Sequence, residues 1–192
     1  PIVSVDSAAS ADYRVTHNNQ ASTADIGAMQ VRAAVMIACG VDFDSADADM
    51  TKGVEAALAS YTGDPINIGV LSAGIDTPVQ NGWIAEMEKE LAKDIYAGKV
   101  NPELDKKYGD DEFTKSTTQA QAFLNEGKVD VIISPTTVGI AAAAEVMKQA
   151  NSDIKVTGLG LPREMKPYMP TSDADDANTF ICPFMLLWDV SH

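Results

Sequence analysis

Polar and aromatic side chains suited to holding a small molecule recur at Asp6, Gln80, Asn81, Pro135, Thr136, Thr137 and Trp188. A carboxylate accepts two hydroxyl protons, an amide both donates and accepts, and a threonine hydroxyl does either. An aromatic face covers the apolar C–H side of a ring. Together these groups suit a neutral polyol bound reversibly by hydrogen bonds. Each has a plainer use as well. Asp6 can cap a loop or helix, Gln80 and Asn81 can cap a helix, and Thr136 and Thr137 can mark a strand-to-helix junction. Trp188 can serve the core or stack on a ligand. Trp83, at helical spacing from Met87, reads as core.

Catalytic constellations are missing from the sequence. The histidines are His17 and His192, the latter being the last residue, and neither has a partner at motif spacing. There is no Gly-x-Ser-x-Gly elbow and no phosphate-binding Walker loop. Gly158-Leu159-Gly160 lacks the third glycine of a dinucleotide fingerprint. The acidic run 42–49 looks like a calcium loop, but its spacing fails the EF-hand pattern, so a solvated loop is expected. Cys39 and Cys182 match neither a zinc nor a Cys-x-x-Cys pattern; two buried thiols or one disulfide are both open. The expectation is a protein that is not an enzyme, with no cofactor and no metal. A doubly wound enzyme is a rival that turnover of a sugar or nucleotide would favour.

The elements that must position these residues follow from periodicity. β-rich runs are predicted at 1–5, 66–71, 129–134 and 155–159, with an apolar run at 179–189. Helices are predicted over 22–38, 51–61, 81–97, 111–126 and 139–150, with a short helical stretch at 163–169. A polar loop is expected over 8–20, a polar turn over 171–178, and 99–108 is either a weak strand or an irregular link. Strand and helix alternate about five times, which predicts an α/β fold: a three-layer, doubly wound, mostly parallel sheet. In such sheets ligands bind beyond the carboxyl ends of the strands, which is where the polar residues above fall.

The totals agree with one folded unit over 1–192. Hydrophobic residues make up 45% and charged residues 22%, which argues against disorder. A net charge of −14 repels phosphate backbones, so nucleic acid is not an expected partner. No apolar run approaches the roughly 18 residues of a membrane span. The chain opens on Pro1-Ile2-Val3-Ser4-Val5, a strand already under way, without Met or a leader. A processed product or part of a longer chain is expected.

Longer motifs carry a resemblance. Val5-Asp6-Ser7 is followed by Arg14 and Asn19-Gln20, then by Gln80-Asn81-Gly82-Trp83. The most specific segment runs from Ile132 through Ser134-Pro135-Thr136-Thr137 to Ala143. Thr157-Gly158-Leu159-Gly160-Leu161-Pro162 and Leu187-Trp188-Asp189-Val190 complete the set. In order and spacing these resemble the type I periplasmic sugar-binding proteins of ABC transporters, in the rhamnose-binding and autoinducer-2-binding branch.

The resemblance implies a bilobed protein closing on one small ligand, of which this chain is a single lobe, the C-terminal one. Residues 1–6 and 187–192 would be crossings between lobes, and the first lobe is absent. It implies a monosaccharide such as rhamnose as ligand, an ABC permease as partner, and a periplasmic or extracellular place beside the membrane. The autoinducer-2 branch uses an aspartate after the crossing strand, an Asp-Gln pair and a Pro-x-Ala turn. Asp6, Gln80 and Pro135 match, whereas Val79 and Thr137 replace the paired Asp and the Ala. Those departures favour a rhamnose-like sugar over autoinducer-2. A sugar-responsive transcription regulator shares the fold and stands as the alternative, though no basic DNA-binding head is visible.

Overall fold

Alternation of side chains, the period-two signature of a strand, organises the centre of the protein. Ile68, Val70, Val131 and Ile133 pack into one hydrophobic cluster, while Leu71, Ile132 and Val156 pack into another on the opposite face. The computed structural model describes residues 2–5, 12–18, 22–41, 50–170, 172 and 179–187.

In chain order the elements are β1 (Ile2–Val5), β2 (Arg14–Asn18), α1 (Thr23–Ala38), α2 (Met50–Ser60), β3 (Ile68–Ser72) and α3 (Pro78–Leu91). They continue as β4 (Asp105–Tyr108), α4 (Phe113–Glu126), β5 (Val131–Ser134), α5 (Thr137–Gln149), β6 (Lys155–Gly160), α6 (Pro162–Met165) and β7 (Leu186–Leu187). Short 3-10 turns cover Asp94–Tyr96 and Lys166–Tyr168. Five strands form one parallel sheet in the order β4-β3-β5-β6-β7, and β1 pairs with β2 in a separate parallel ladder. Helices α1, α2 and α3 cover one face of the main sheet; α4 and α5 cover the other. The three-layer α/β expectation is met.

Most elements fall where periodicity placed them, with informative shifts. Ser22 caps α1 as its Oγ accepts from the Asp25 amide at 3.2 Å. Helix α3 begins at Pro78, three residues ahead of the expected start, because proline's fixed φ suits the first helical position. Gln80 and Asn81 therefore lie inside the first turn rather than capping it. Helix α4 begins at Phe113 rather than 111, since Asp110 and Asp111 both adopt left-handed backbone, φ 55° and 53°. The ambiguous stretch 99–108 ends in edge strand β4. The loop expected over 8–20 contains β2, whose Val15 and Thr16 are β-branched. The 42–49 and 173–178 expectations lie outside the described residues. Cys39 and Cys182 are free thiols, and burial pushes the Cys182 thiol up to about 12.

One carboxylate ties together the helices of the first face. Glu90 on α3, 3% exposed, receives Arg32 of α1 in a bidentate pair at 2.8 and 3.3 Å. Lys93 and the Tyr96 hydroxyl also donate to it, and Arg32 reaches Thr51 of α2 at 2.9 Å. Burial alone would raise the Glu90 pKa, yet hydrogen bonds from Arg32, Lys93 and Tyr96 hold it below the usual 4.5. A depressed carboxylate adds stability above its unfolded pKa and loses it as pH falls through the folded value. Glu90→Gln should cost about 3 kcal/mol at pH 7, as expected for a broken buried pair. Urea unfolding should also show a flatter loss of stability below pH 4.5 in the variant than in the parent chain.

Candidate functional site

The sheet changes winding direction between β3 and β5. From β3 the chain turns through α3 to the edge strand β4; from β5 it turns the other way through α5 to β6. Loops leaving the carboxyl ends of adjacent strands diverge there and leave a crevice. A cleft of about 690 Å³ occupies this place. Its wall comes from the end of β3 and start of α3 (Thr77, Val79, Gln80, Trp83) and from Asp111 after β4. Pro135, Thr136, Thr137 and Val138 after β5 and Leu159 and Leu161 after β6 complete it.

Two glycines allow the strand ends to come this close. Gly158 on β6 has φ +136°, and a Cβ there would run into the Ser134 carbonyl of β5. Gly139, in the first turn of α5, lies against the Ser134 hydroxyl and 3.2 Å (from its ideal Cβ) from the Leu71 carbonyl. The Ser134 hydroxyl, fully buried, donates to Leu71 O at 2.8 Å and so joins the ends of β5 and β3.

Polar groups of the wall divide into committed and open ones. Thr77, at the start of α3, accepts the Gly74 amide at 3.0 Å on its hydroxyl and gives the helix no side-chain cap. Thr136, 6% exposed, donates its hydroxyl proton to Asp111 Oδ1. Gln80 Oε1 is buried and, among the described residues, has no hydrogen-bond partner. Such an orphaned acceptor normally costs one to a few kcal/mol, about 1–3, unless a ligand or water satisfies it. Trp83 is 5% exposed and forms the floor beside Leu159, so it belongs to the core and to the cleft at once.

Of the residues singled out from sequence, Gln80, Pro135, Thr136 and Thr137 meet in this cleft. Asn81 does not line it. One residue further round the helix, it turns toward the preceding loop and donates its amide to Ile75 O at 2.7 Å. Asp6 and Trp188 lie outside the described residues. Asp111 was missed by sequence reasoning. It sat inside the pattern for α4, and the only signal against a helix there was the Gly109-Asp110-Asp111 run, which favours left-handed turns. Among the described residues there is no group of three or more acidic, His or Cys side chains able to hold a metal ion. No helix of the described residues is long and apolar enough to cross a membrane.

Residues 1–186 match a family model described as a periplasmic binding protein domain. The chain belongs to the periplasmic binding protein family. Among solved structures, this periplasmic binding protein is 33% identical to an ABC transporter solute-binding protein from Clostridium phytofermentas with bound L-rhamnose, TM-score 0.75. The match covers 97% of this chain and 49% of that one. A sugar ABC transporter protein from Actinomyces odontolyticus is 29% identical, TM-score 0.63, over 94% of this chain and 48% of the other. LsrB from Clostridium saccharobutylicum, in complex with AI-2, shares the fold at 19% identity and TM-score 0.65, over 86% and 47%. No curated protein matches the sequence. The chain thus spans about half the length of these solved structures.

The close strand packing at the cleft gives a direct test. Gly158→Ala combines positive φ with a backbone collision and should destabilise the fold by about 3 kcal/mol or more. Gly98→Ala has φ +71° but no neighbour within 4 Å of its Cβ, and should cost only about 1 kcal/mol. Thermal unfolding of the two variants side by side reads the difference.

Proposed function

We propose that the chain is one lobe, the C-terminal one, of a solute-binding protein that delivers a neutral monosaccharide, rhamnose or a close relative, to an ABC permease. The observation that carries this reading is the cleft at the winding switch, lined by the Gln80 oxygen, unpaired among the described residues, and by Thr136 and Thr137. Hydroxyl-rich ligands offer the donors that these acceptors lack. Asp6 and Trp188 would add a carboxylate and a stacking face from the crossing segments, and Pro135 lines the cleft in the turn after β5. Asn81 supports the site by holding the loop before α3. The exposed apolar side chains Ile75 after β3, Phe113 at the start of α4, Leu161 after β6 and Leu187 at the end of β7 all follow the carboxyl ends of strands. Such a rim around a polar cleft is suited to contact with a second lobe.

The mechanism is binding without chemistry. Closure of two lobes would remove water and strengthen the hydrogen bonds to the ligand. Preferential binding to the closed form would then report occupancy to the permease. The place of action would be periplasmic or extracellular, beside the membrane that holds the transporter. The 33% identity to a rhamnose-bound protein supports the sugar class. Val79 and Thr137, where the autoinducer-2 branch carries Asp and Ala, weigh against that ligand. The net charge of −14 weighs against a DNA-bound regulator.

Calorimetry with L-rhamnose on the protein carrying both lobes tests the proposal. Gln80→Ala should weaken binding about tenfold or more, the loss of a buried hydrogen bond to ligand. The isolated chain should bind no tighter than about millimolar, since half the contacts cannot offset the cost of association. Micromolar affinity in the isolated chain, or unchanged affinity in the Gln80 variant, would refute it.

A further inference from the structure

The carboxylate of Asp111 differs from its neighbours in where it points and what it touches. Lys115 pairs with Asp110 at 3.1 Å and with Glu112 at 2.9 Å. Asp111, between them, turns the other way, lines the cleft and accepts the Thr136 hydroxyl. The backbone holds it there. Gly109 and Asp110 donate to Ser72 O and Ala73 O at 2.9 and 3.1 Å, so the loop after β4 is pinned to the end of β3. Two successive left-handed residues then swing the Asp111 side chain over the sheet edge.

Thr136 is the residue ahead of α5, a helix of 13 residues. Its hydroxyl donates to Asp111 and makes no side-chain bond to the first-turn amides. The first amide bonded within the helix pattern is that of Ile140, to Thr136 O. The preceding amides form the positive end of the helix dipole beside the cleft. A helix end of this kind favours an anionic group. Here Asp111, bonded to the residue ahead of the helix, brings a carboxylate near that end.

We infer that Asp111 sets the charge class of the ligand: it takes the place an anionic group would occupy at the start of α5 and so restricts the cleft to neutral sugars, excluding uronates and sugar phosphates. Two effects act together. The carboxylate, exposed in this chain, repels a second negative charge, and closure of a second lobe would shield the cleft from water and strengthen that repulsion. It also holds the Thr136 proton, so that hydroxyl can accept from a ligand hydroxyl but has nothing to donate to a carboxylate or phosphate. The free Asp111 oxygen adds a further acceptor for a neutral sugar's hydroxyl. The inference rests on the sugar-binding reading for its ligand, although the built-in anion can be tested without any sugar.

Asp111→Asn is the informative change. It keeps an acceptor oxygen for Thr136, tolerates left-handed backbone and removes only the charge. Calorimetry on the two-lobed protein would compare L-rhamnose and the matched pairs galactose with galacturonate and glucose with glucuronate. The unaltered protein should prefer the neutral member by about tenfold or more, and the variant should reduce that ratio about tenfold. Asp110→Asn, whose carboxylate pairs with Lys115, should leave the ratio unchanged. Equal loss for neutral and acidic ligands in Asp111→Asn, or no change in the ratio, overturns the inference. A second measurement is independent of sugar: thermal unfolding in sodium phosphate against sodium chloride at equal ionic strength. Phosphate stabilises most folded proteins by exclusion from their surface, so the readout is the difference: the gain should be larger in Asp111→Asn than in the unaltered protein. If no sugar binds either protein, the sugar reading fails. The phosphate effect then decides alone: a larger gain in the variant sustains the role of Asp111, and equal gains in both proteins remove it.

Discussion

A single buried hydroxyl sets the arrangement on which the cleft depends. Ser134 ends β5, and one position beyond the last paired residues, Val70 and Ile133, its hydroxyl bonds the Leu71 carbonyl of β3. On its other side the Ser134 backbone lies against Gly158 of β6, and α5 begins close enough that residue 139 must be glycine. Three neighbouring strands therefore end level and close together. The loops that leave them have no room to spread over one another, so they rise side by side around a common space. A buried hydroxyl without a partner would be costly, and its satisfaction by the next strand makes this junction specific as well as stable.

The two faces of the sheet are held in different ways. On one, α1, α2 and α3 share the ion network centred on Glu90, whose carboxylate accepts from Arg32, Lys93 and Tyr96 while Arg32 also reaches Thr51. On the other, α4 and α5 close-pack through Ala120, Ala143 and Ala144 around Phe123 and Met147, with little polar material. Small side chains let those helices approach the sheet closely, and dispersion over many contacts replaces directional bonding. Both solutions give a rigid scaffold, which is what loops carrying binding residues require.

Within the cleft, polarity rather than size distinguishes the wall. Acceptors predominate: the Gln80 oxygen, the Asp111 carboxylate and a Thr136 hydroxyl whose proton is already engaged. Trp83 and Leu159 supply an apolar floor beneath them. That combination matches a molecule with hydroxyls on its edge and C–H groups on its face. The asymmetry arises from backbone geometry, since the left-handed pair at 110 and 111 directs one carboxylate to Lys115 and the next to the cleft.

Local pattern was enough for the layer architecture, because burial on a sheet has period two and on a helix 3.6, and both are written in consecutive residues. It also placed Gln80, Pro135, Thr136 and Thr137 at strand ends, since the rule linking ligands to those ends needs only element order. It misjudged where α3 and α4 start, as proline at a first helical position and left-handed aspartates act on boundaries rather than on periodicity. Which strand-end residues meet was decided by tertiary structure alone. Asn81 faces a loop and Gln80 a cleft although they are adjacent, because 100° of helix rotation separates them and only the position of β5 says which direction is the cleft. Asp111 and Thr136 lie 25 residues apart and bond because β3 brings the ends of β4 and β5 to either side of itself. Such a pairing is a property of sheet order, which no stretch of sequence encodes by itself.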